Sequence, residues 1–229
     1  MTPQVQSRLI KFGIYGTIQF LILIHVAMYL YKGGSLHQPH LEGYSFTTNF
    51  FSDLGRNRLF TGAANFPTSI IFRTTMAFTG VSVALFFLAV PSLFRQPIPK
   101  ALAVLAAFFG IIAGLSYVAI GNVPYDVSYW RHTWFVRVGF INFLLMVLLY
   151  SMAIFSEKNY PNRYGWVFII FGGILTIQIA IMLLGPRSWR SPQALFLQAV
   201  AQKIVVYAEV VCMLIQAIGA LTVIKKRFR

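Results

Sequence analysis

The side chains best suited to chemistry lie in two polar stretches between long apolar runs. The first stretch, TTNFFSDLGRNRLF, contains Asp53, and the second, GNVPYDVSYWRH, contains Asp126 and His132. A carboxylate that orients a histidine is a common acid–base unit, so we predict these three as candidate catalytic residues. Ser52 lies beside Asp53, but no spacing in the sequence defines a nucleophilic triad. The alternative is that both stretches contain only turn and helix-cap residues.

Arginines are the main cations of these stretches and of the adjoining apolar runs. Their planar guanidinium groups suit phosphate or carboxylate recognition through paired hydrogen bonds, which predicts a site for an anionic headgroup. For part of the set, the alternative is that the side chains simply reach the membrane interface. The predicted headgroup ligands are Arg56, Arg73, Arg131, Arg137, Arg187 and Arg190.

Glu209 is the only acidic residue inside an apolar run, in the stretch VYAEVVCM. An unpaired carboxylate is costly in hydrocarbon, so Glu209 is either protonated or paired with a cation. We predict an intramembrane pair with Arg137, and Arg73 is the other candidate partner. Such a pair serves either helix packing or binding and proton handling, and the sequence leaves both open.

A metal centre has little support in the sequence. Cys212 is the only cysteine, which excludes an intrachain disulfide, a cysteine-based zinc site and an iron–sulfur cluster. His37, His40 and His132 are the remaining candidates, but Pro39 keeps the first two from sharing a regular helical turn. No metal site is favoured, and the identity of any cofactor stays open.

The composition is that of an integral membrane protein. Hydrophobic residues make up 58% of the 229 residues and charged residues 10%, whereas a soluble domain carries about 25% charged residues. The net charge is +14, from 19 Lys and Arg against 5 Asp and Glu. Because these bases lie at the ends of apolar runs, they indicate interfacial anchors and anionic-lipid contacts rather than a nucleic-acid partner.

Six apolar runs are long enough to cross a bilayer as helices, which takes about 20 residues each. The prolines fall between these runs or at their ends, as expected for a residue that disfavours helix interiors. The longest loop, 32–67, is rich in phenylalanine, which predicts short amphipathic helices on the membrane face or a plug in the bundle. The fold class is an all-α bundle of six transmembrane helices in one domain, 1–229. The predicted spans are about 10–31, 68–94, 101–121, 133–155, 165–185 and 199–224.

Orientation is predicted from the short loops, because Lys and Arg are almost equally numerous on the two sides of the bundle. The basic cluster at 225–229 and the loop at 95–100 have no acidic neighbour, which favours the cytoplasm for that side. We therefore predict a multi-pass protein of the cell inner or plasma membrane with cytoplasmic N- and C-termini. The polar stretches then lie at the outer face.

FFSDLGR after the first span and GNVPYDVSYWRH after the third resemble a prokaryotic six-transmembrane family known only as a domain of unknown function. That family is distantly similar to the eukaryotic Frag/DRAM group, which includes proteins that remodel glycosylphosphatidylinositol-type lipid anchors. The resemblance implies the six-span fold and little chemistry. The long first loop, with its two histidines, departs from the family pattern. The matching motif positions are Ser52, Asp53, Leu54, Gly55, Gly121, Pro124, Asp126 and His132.

Three functions remain open. The first is an outer-face site that binds or processes an anionic lipid headgroup, with any catalysed reaction left undecided. The second is a non-catalytic accessory or structural subunit of a larger membrane complex, suggested by 22 Phe and 11 Tyr. The third is a metal- or haem-binding membrane protein. The predicted partners are anionic membrane lipids and, for the second function, other membrane proteins.

Overall fold

The structure is a computed structural model that describes residues 2–227, so positions 228 and 229 of the basic cluster lie outside the described part. Within it, six α-helices are long and apolar enough to cross a membrane, and a 3₁₀ turn continues the second. The predicted all-α membrane bundle is thus confirmed. The helices are α1 (Pro3–Leu30), α2 (Thr68–Ala89), α3 (Pro97–Asn122), α4 (Tyr129–Ser156), α5 (Arg163–Leu184) and α6 (Pro192–Arg227).

Several helices begin earlier than the predicted spans because their first turns are polar. Prolines open three of them: Pro3 in α1, Pro97 in α3 and Pro192 in α6. Proline suits the first turn because its φ is already helical and its missing N–H would have no helical partner there. Counting apolar residues therefore finds the membrane-crossing part of each helix and misses the polar turn before it.

The six helices form a closed ring. Each packs against its neighbour in sequence, and α6 returns to pack against α1. Connecting loops therefore alternate between the two ends of the bundle. We call the end that carries loops 31–67, 123–128 and 185–191 the loop end, and it is the end where the polar stretches lie.

Helices α2 and α3 approach each other at backbone contact. A Cβ added to Gly80 would lie 2.3 Å from the carbonyl oxygen of Gly114, and one added to Gly114 would lie 2.5 Å from that of Gly80. Only glycine leaves room for such an approach, which is a common way for membrane helices to pack. These two glycines therefore fix the spacing of α2 and α3.

The long first loop is only partly as predicted. It contains an antiparallel hairpin of β1 (Gly33–Ser35) and β2 (Gln38–Glu42), followed by a 3₁₀ turn at Phe51–Gly55. Gly33 and Gly34 have φ values of 121° and 91°, which glycine adopts readily and other residues rarely do. In place of the predicted short helices the loop has one 3₁₀ turn, and its first part forms a hairpin.

Gly80→Ala should lower the free energy of unfolding by about 2 kcal/mol, because an extra methyl group in a close-packed contact forces the helices apart. Gly173→Ala is the matched control, since a Cβ there meets nothing within 4 Å. Alanine should leave stability unchanged or raise it slightly at that helical position. Chemical unfolding of the purified protein in detergent, followed by circular dichroism, measures both; equal losses would contradict the contact.

Candidate functional site

The polar segment 49–55 is fixed by its own side chains. The buried carboxylate of Asp53 accepts hydrogen bonds from the Phe50 backbone N–H at 2.9 Å and from Asn49 Nδ2 at 3.1 Å. Asn65 Nδ2 donates to the carbonyl of Leu54 in the segment and to that of Arg56 just after it, each at 3.0 Å. Burial raises the pKa of Asp53, and the two hydrogen bonds to its carboxylate act in the opposite direction. Asp53 therefore organises the segment, and its carboxylate faces backbone and amide groups.

Two consecutive residues of α6, Gln202 and Lys203, hold the same segment from the bundle side. Lys203 is 1% exposed, and its ammonium group donates to the carbonyl of Asn49 and lies 5.2 to 5.5 Å from three aromatic rings of the first loop. Gln202 Oε1 accepts from the Phe51 backbone N–H at 2.9 Å. Sequence analysis missed both residues. The available signal was a lysine inside a predicted span, where a cation requires partners.

Asp126 and His132 engage different partners. The Asp126 carboxylate accepts from the backbone N–H groups of Asn57 at 3.1 Å and Arg58 at 3.0 Å, which ties the second loop to the first. His132 Nδ1 lies 2.7 Å from the carbonyl oxygen of Val123. No hydrogen bond joins the two side chains within residues 2–227. The predicted carboxylate–histidine contact is therefore not formed, and a backbone carbonyl orients the imidazole instead.

Two adjoining cavities are lined in part by residues of the first loop. The inner cavity, of about 100 Å³, lies among α1, α2, α3, α4 and α6. The mouth cavity, of about 110 Å³, lies among α4, α5, α6 and the loops. Each has room for several water molecules. Five residues line both cavities, and we call this set the junction: Ser52, His132, Val136, Phe140 and Gln202.

The six predicted headgroup arginines separate into three groups. Arg137 and Arg187 line the mouth cavity. Arg56 and Arg73 turn to the first loop, where Arg56 Nε donates to a backbone carbonyl at 3.1 Å and Arg73 donates to an asparagine oxygen. The last two are exposed and line neither cavity: Arg131 and Arg190. The fold thus brings two members of the set together in the mouth cavity.

Two buried polar atoms of the mouth cavity have no hydrogen-bond partner among the described residues. They are Arg137 Nε and Gln178 Oε1, and the Gln178 side chain is 5% exposed. An unsatisfied buried donor or acceptor costs about 1–3 kcal/mol, which a bound polar molecule can offset. Tyr125 lines the same cavity, and burial raises its pKa to about 12, so its hydroxyl remains protonated at neutral pH. The mouth cavity therefore offers both donors and an acceptor.

The predicted pair of Glu209 and Arg137 is not formed. The Tyr117 hydroxyl lies 2.8 Å from each carboxylate oxygen of Glu209, and so it donates to this carboxyl group. Glu209 lines the inner cavity, whereas Arg137 lines the mouth cavity. Since depth along the helix was the only guide to a partner, the sequence could not show that the two side chains face different cavities.

The three histidines considered for a metal site are dispersed. His37 Nε2 lies 2.9 Å from the carbonyl oxygen of Ser188 and connects the hairpin to the third loop of the loop end. His40 is exposed on β2, and His132 contacts a backbone carbonyl. In the described part of the chain, no group of three or more His, Cys, Asp or Glu side chains is placed to hold a metal ion.

Lys203→Met should destabilise the protein by about 2 kcal/mol, because it removes the ammonium donor of the buried Asn49 carbonyl, which then keeps only the 3.4 Å contact with the Tyr44 hydroxyl. Backbone amides of residues 43–60 should also exchange with solvent faster, as measured by hydrogen exchange and mass spectrometry. Lys158→Met, at an exposed lysine of the opposite end, is the control. Unchanged exchange at 43–60 would show that Lys203 does not hold the segment.

Comparison with known proteins does not identify the family of this protein. No protein-family model matches the chain, and neither a curated protein nor a solved structure matches it. The resemblance to a six-transmembrane family of the Frag/DRAM type therefore stays a prediction from motifs.

Proposed function

We propose that this protein binds an anionic amphiphile at the loop end, with the charged headgroup in the mouth cavity and an acyl or similar chain in the inner cavity. The observation that carries the proposal is that the two cavities adjoin, one lined by charged residues and the other largely apolar. A mouth with two arginines and a largely apolar interior share the five junction residues. A molecule with one charged end and one apolar end fits this polarity.

The charge of the mouth cavity supports an anion. Arg137 and Arg187 line it, and no acidic side chain of residues 2–227 does. The carboxylates of Asp53 and Asp126 could compete with a ligand for these arginines. Both instead accept hydrogen bonds from backbone N–H groups of the first loop. Guanidinium–phosphate hydrogen bonds are roughly twice as strong as neutral ones. An anionic headgroup would also supply an acceptor to the unpartnered Nε of Arg137.

The lining of the inner cavity supports a hydrocarbon chain. Apolar side chains from several helices form most of its wall, including Phe20, Phe72 and Met76. Its acidic group, Glu209, already has a hydrogen-bond donor in the Tyr117 hydroxyl. Burying each methylene of a bound chain contributes about 0.8 kcal/mol. The chain would therefore supply affinity, and the headgroup would supply selectivity.

The proposal places the loop end at the outer face of the cell inner or plasma membrane, with cytoplasmic termini. The short loops at 95–100 and 157–162 then face the cytoplasm with their lysines and arginines, in agreement with the usual bias of such loops. Trp130, Trp134 and Trp189 are exposed near the loop end, as expected at a membrane interface.

Arg137→Gln and Arg187→Gln should each weaken binding of a fluorescent monoacyl phosphate lipid about tenfold, equivalent to about 1.4 kcal/mol. Binding of the uncharged monoacylglycerol should change little, because the lost interaction is with the phosphate. Titrations of the purified protein in detergent measure both. Arg190→Gln, an exposed arginine outside both cavities, is the matched control. A wild-type protein that prefers the uncharged lipid, or an equal loss in the control, would overturn the proposal.

Orientation is tested with single cysteines. Thr47→Cys, exposed in the first loop, should react with a membrane-impermeant maleimide in intact cells, and Lys158→Cys should react only after permeabilisation. The native Cys212 is 2% exposed and serves as an unreactive background. The reverse labelling pattern would place the loop end in the cytoplasm.

A further inference from the structure

We propose that Ser52 and His132 form an acyl-transfer centre at the junction, which cleaves a carboxylic ester between an acyl chain and a phosphate-bearing alcohol. This inference rests on the proposed lipid-binding function. It extends that function from binding to a reaction and names the substrate class, an acyl ester of an anionic phosphoalcohol. Ser52 acts as the nucleophile and His132 as the general base.

The position of the junction determines which bond of the substrate is cleaved. If the phosphate lies against Arg187 in the mouth cavity and the acyl chain lies in the inner cavity, the ester that joins them lies at the junction. Two of the five junction residues are the apolar Val136 and Phe140. The other three carry a hydroxyl, an imidazole and a carboxamide, the functional groups that ester cleavage by a serine nucleophile requires.

His132 is in the tautomer that a general base needs. Its Nδ1 lies 2.7 Å from the Val123 carbonyl oxygen, and a carbonyl can only accept, so we assign the ring proton to Nδ1. Nε2 then carries a free lone pair. The side chain is 3% exposed and lines both cavities, so bulk water does not compete strongly for that lone pair. The carbonyl of Val123 takes the orienting role that a carboxylate has in the serine-hydrolase triad.

Ser52 lies on a part of the first loop that side chains of α6 hold in place. Phe51 donates its backbone N–H to Gln202, and Lys203 donates to the carbonyl of Asn49, so two contacts with α6 hold the chain just before the serine. The Oε1 of Gln202 is used in this contact, whereas its Nε2 has no hydrogen-bond partner among residues 2–227. That amide group is the candidate donor to the oxyanion that forms on the ester.

The reaction balances with water as the only co-reactant. Ser52 Oγ attacks the ester carbonyl carbon while its proton moves to His132 Nε2, and Gln202 Nε2 donates to the resulting oxyanion. The bond from carbon to the alcohol oxygen breaks, and His132 returns the proton to that oxygen. Water then attacks the acyl-serine, gives its proton to His132, and releases a fatty acid as Ser52 regains its hydrogen. Ser52 and His132 are not hydrogen-bonded to each other in the structure, and catalytic contacts of this kind often tighten only when substrate binds.

Covalent labelling tests the centre without a known substrate. A fluorophosphonate probe should form one adduct with the purified full-length protein, located at Ser52 by peptide mass spectrometry. Ser52→Ala should abolish the adduct, and His132→Gln should slow its formation about 100-fold or more, since the base no longer takes the proton. Ser45→Ala and His40→Gln, in the first loop away from both cavities, are the matched controls and should label like wild type.

A second measurement separates this inference from the binding function. Wild-type protein should release fatty acid from the monoacyl phosphate lipid and Ser52→Ala should release none, with the circular dichroism spectrum of the variant showing that it is folded. Normal lipid binding by the wild type without labelling at Ser52 would overturn the centre and leave the binding function standing. Labelling at Ser52 in a protein that does not prefer the anionic lipid would overturn the binding function instead.

Discussion

Backbone groups that lie away from water need hydrogen-bond partners, and at the loop end this requirement determines where most polar side chains go. The segment from Asn49 to Arg58 has little regular secondary structure beyond one 3₁₀ turn, so side chains complete its hydrogen bonds. Asp53 and Asp126 accept from its N–H groups, while Asn65 and Lys203 donate to its carbonyls. The main role of the polar residues between the first two helices is therefore to complete the hydrogen bonds of a non-helical segment at the loop end.

This framework leaves a small set of polar side chains for chemistry. Once both aspartates and two of the arginines are committed to loop backbone or loop side chains, Arg137, Arg187 and Gln178 remain around the mouth cavity. The junction residues line both that charged cavity and an apolar one. Polarity that changes from charged to apolar over a short distance is the property that an amphiphile recognises.

The sequence predicts the scaffold better than the site, for a physical reason. The length of each apolar run reports directly on membrane crossing, so α2 begins at the predicted Thr68 and α5 ends within one residue of its prediction. Which side chain a buried polar residue contacts depends on how each helix is rotated about its axis. The estimated depth of a residue in the membrane gives no information on that rotation. That is why Glu209 was matched to an arginine when its partner is Tyr117 on α3. Lys203 lies inside a predicted span, which signals a need for partners, but its partner is the Asn49 carbonyl, a backbone group that sequence cannot single out.

The contact of Gly80 with Gly114 has a mechanical consequence for the ring. Two helices whose backbones touch can neither slide nor separate without losing that fit, so this contact opposes the separation of α2 and α3. A bilayer lipid that enters the interior sideways must pass through some other seam between helices. Such a ligand would therefore enter from the bilayer between another pair of neighbouring helices.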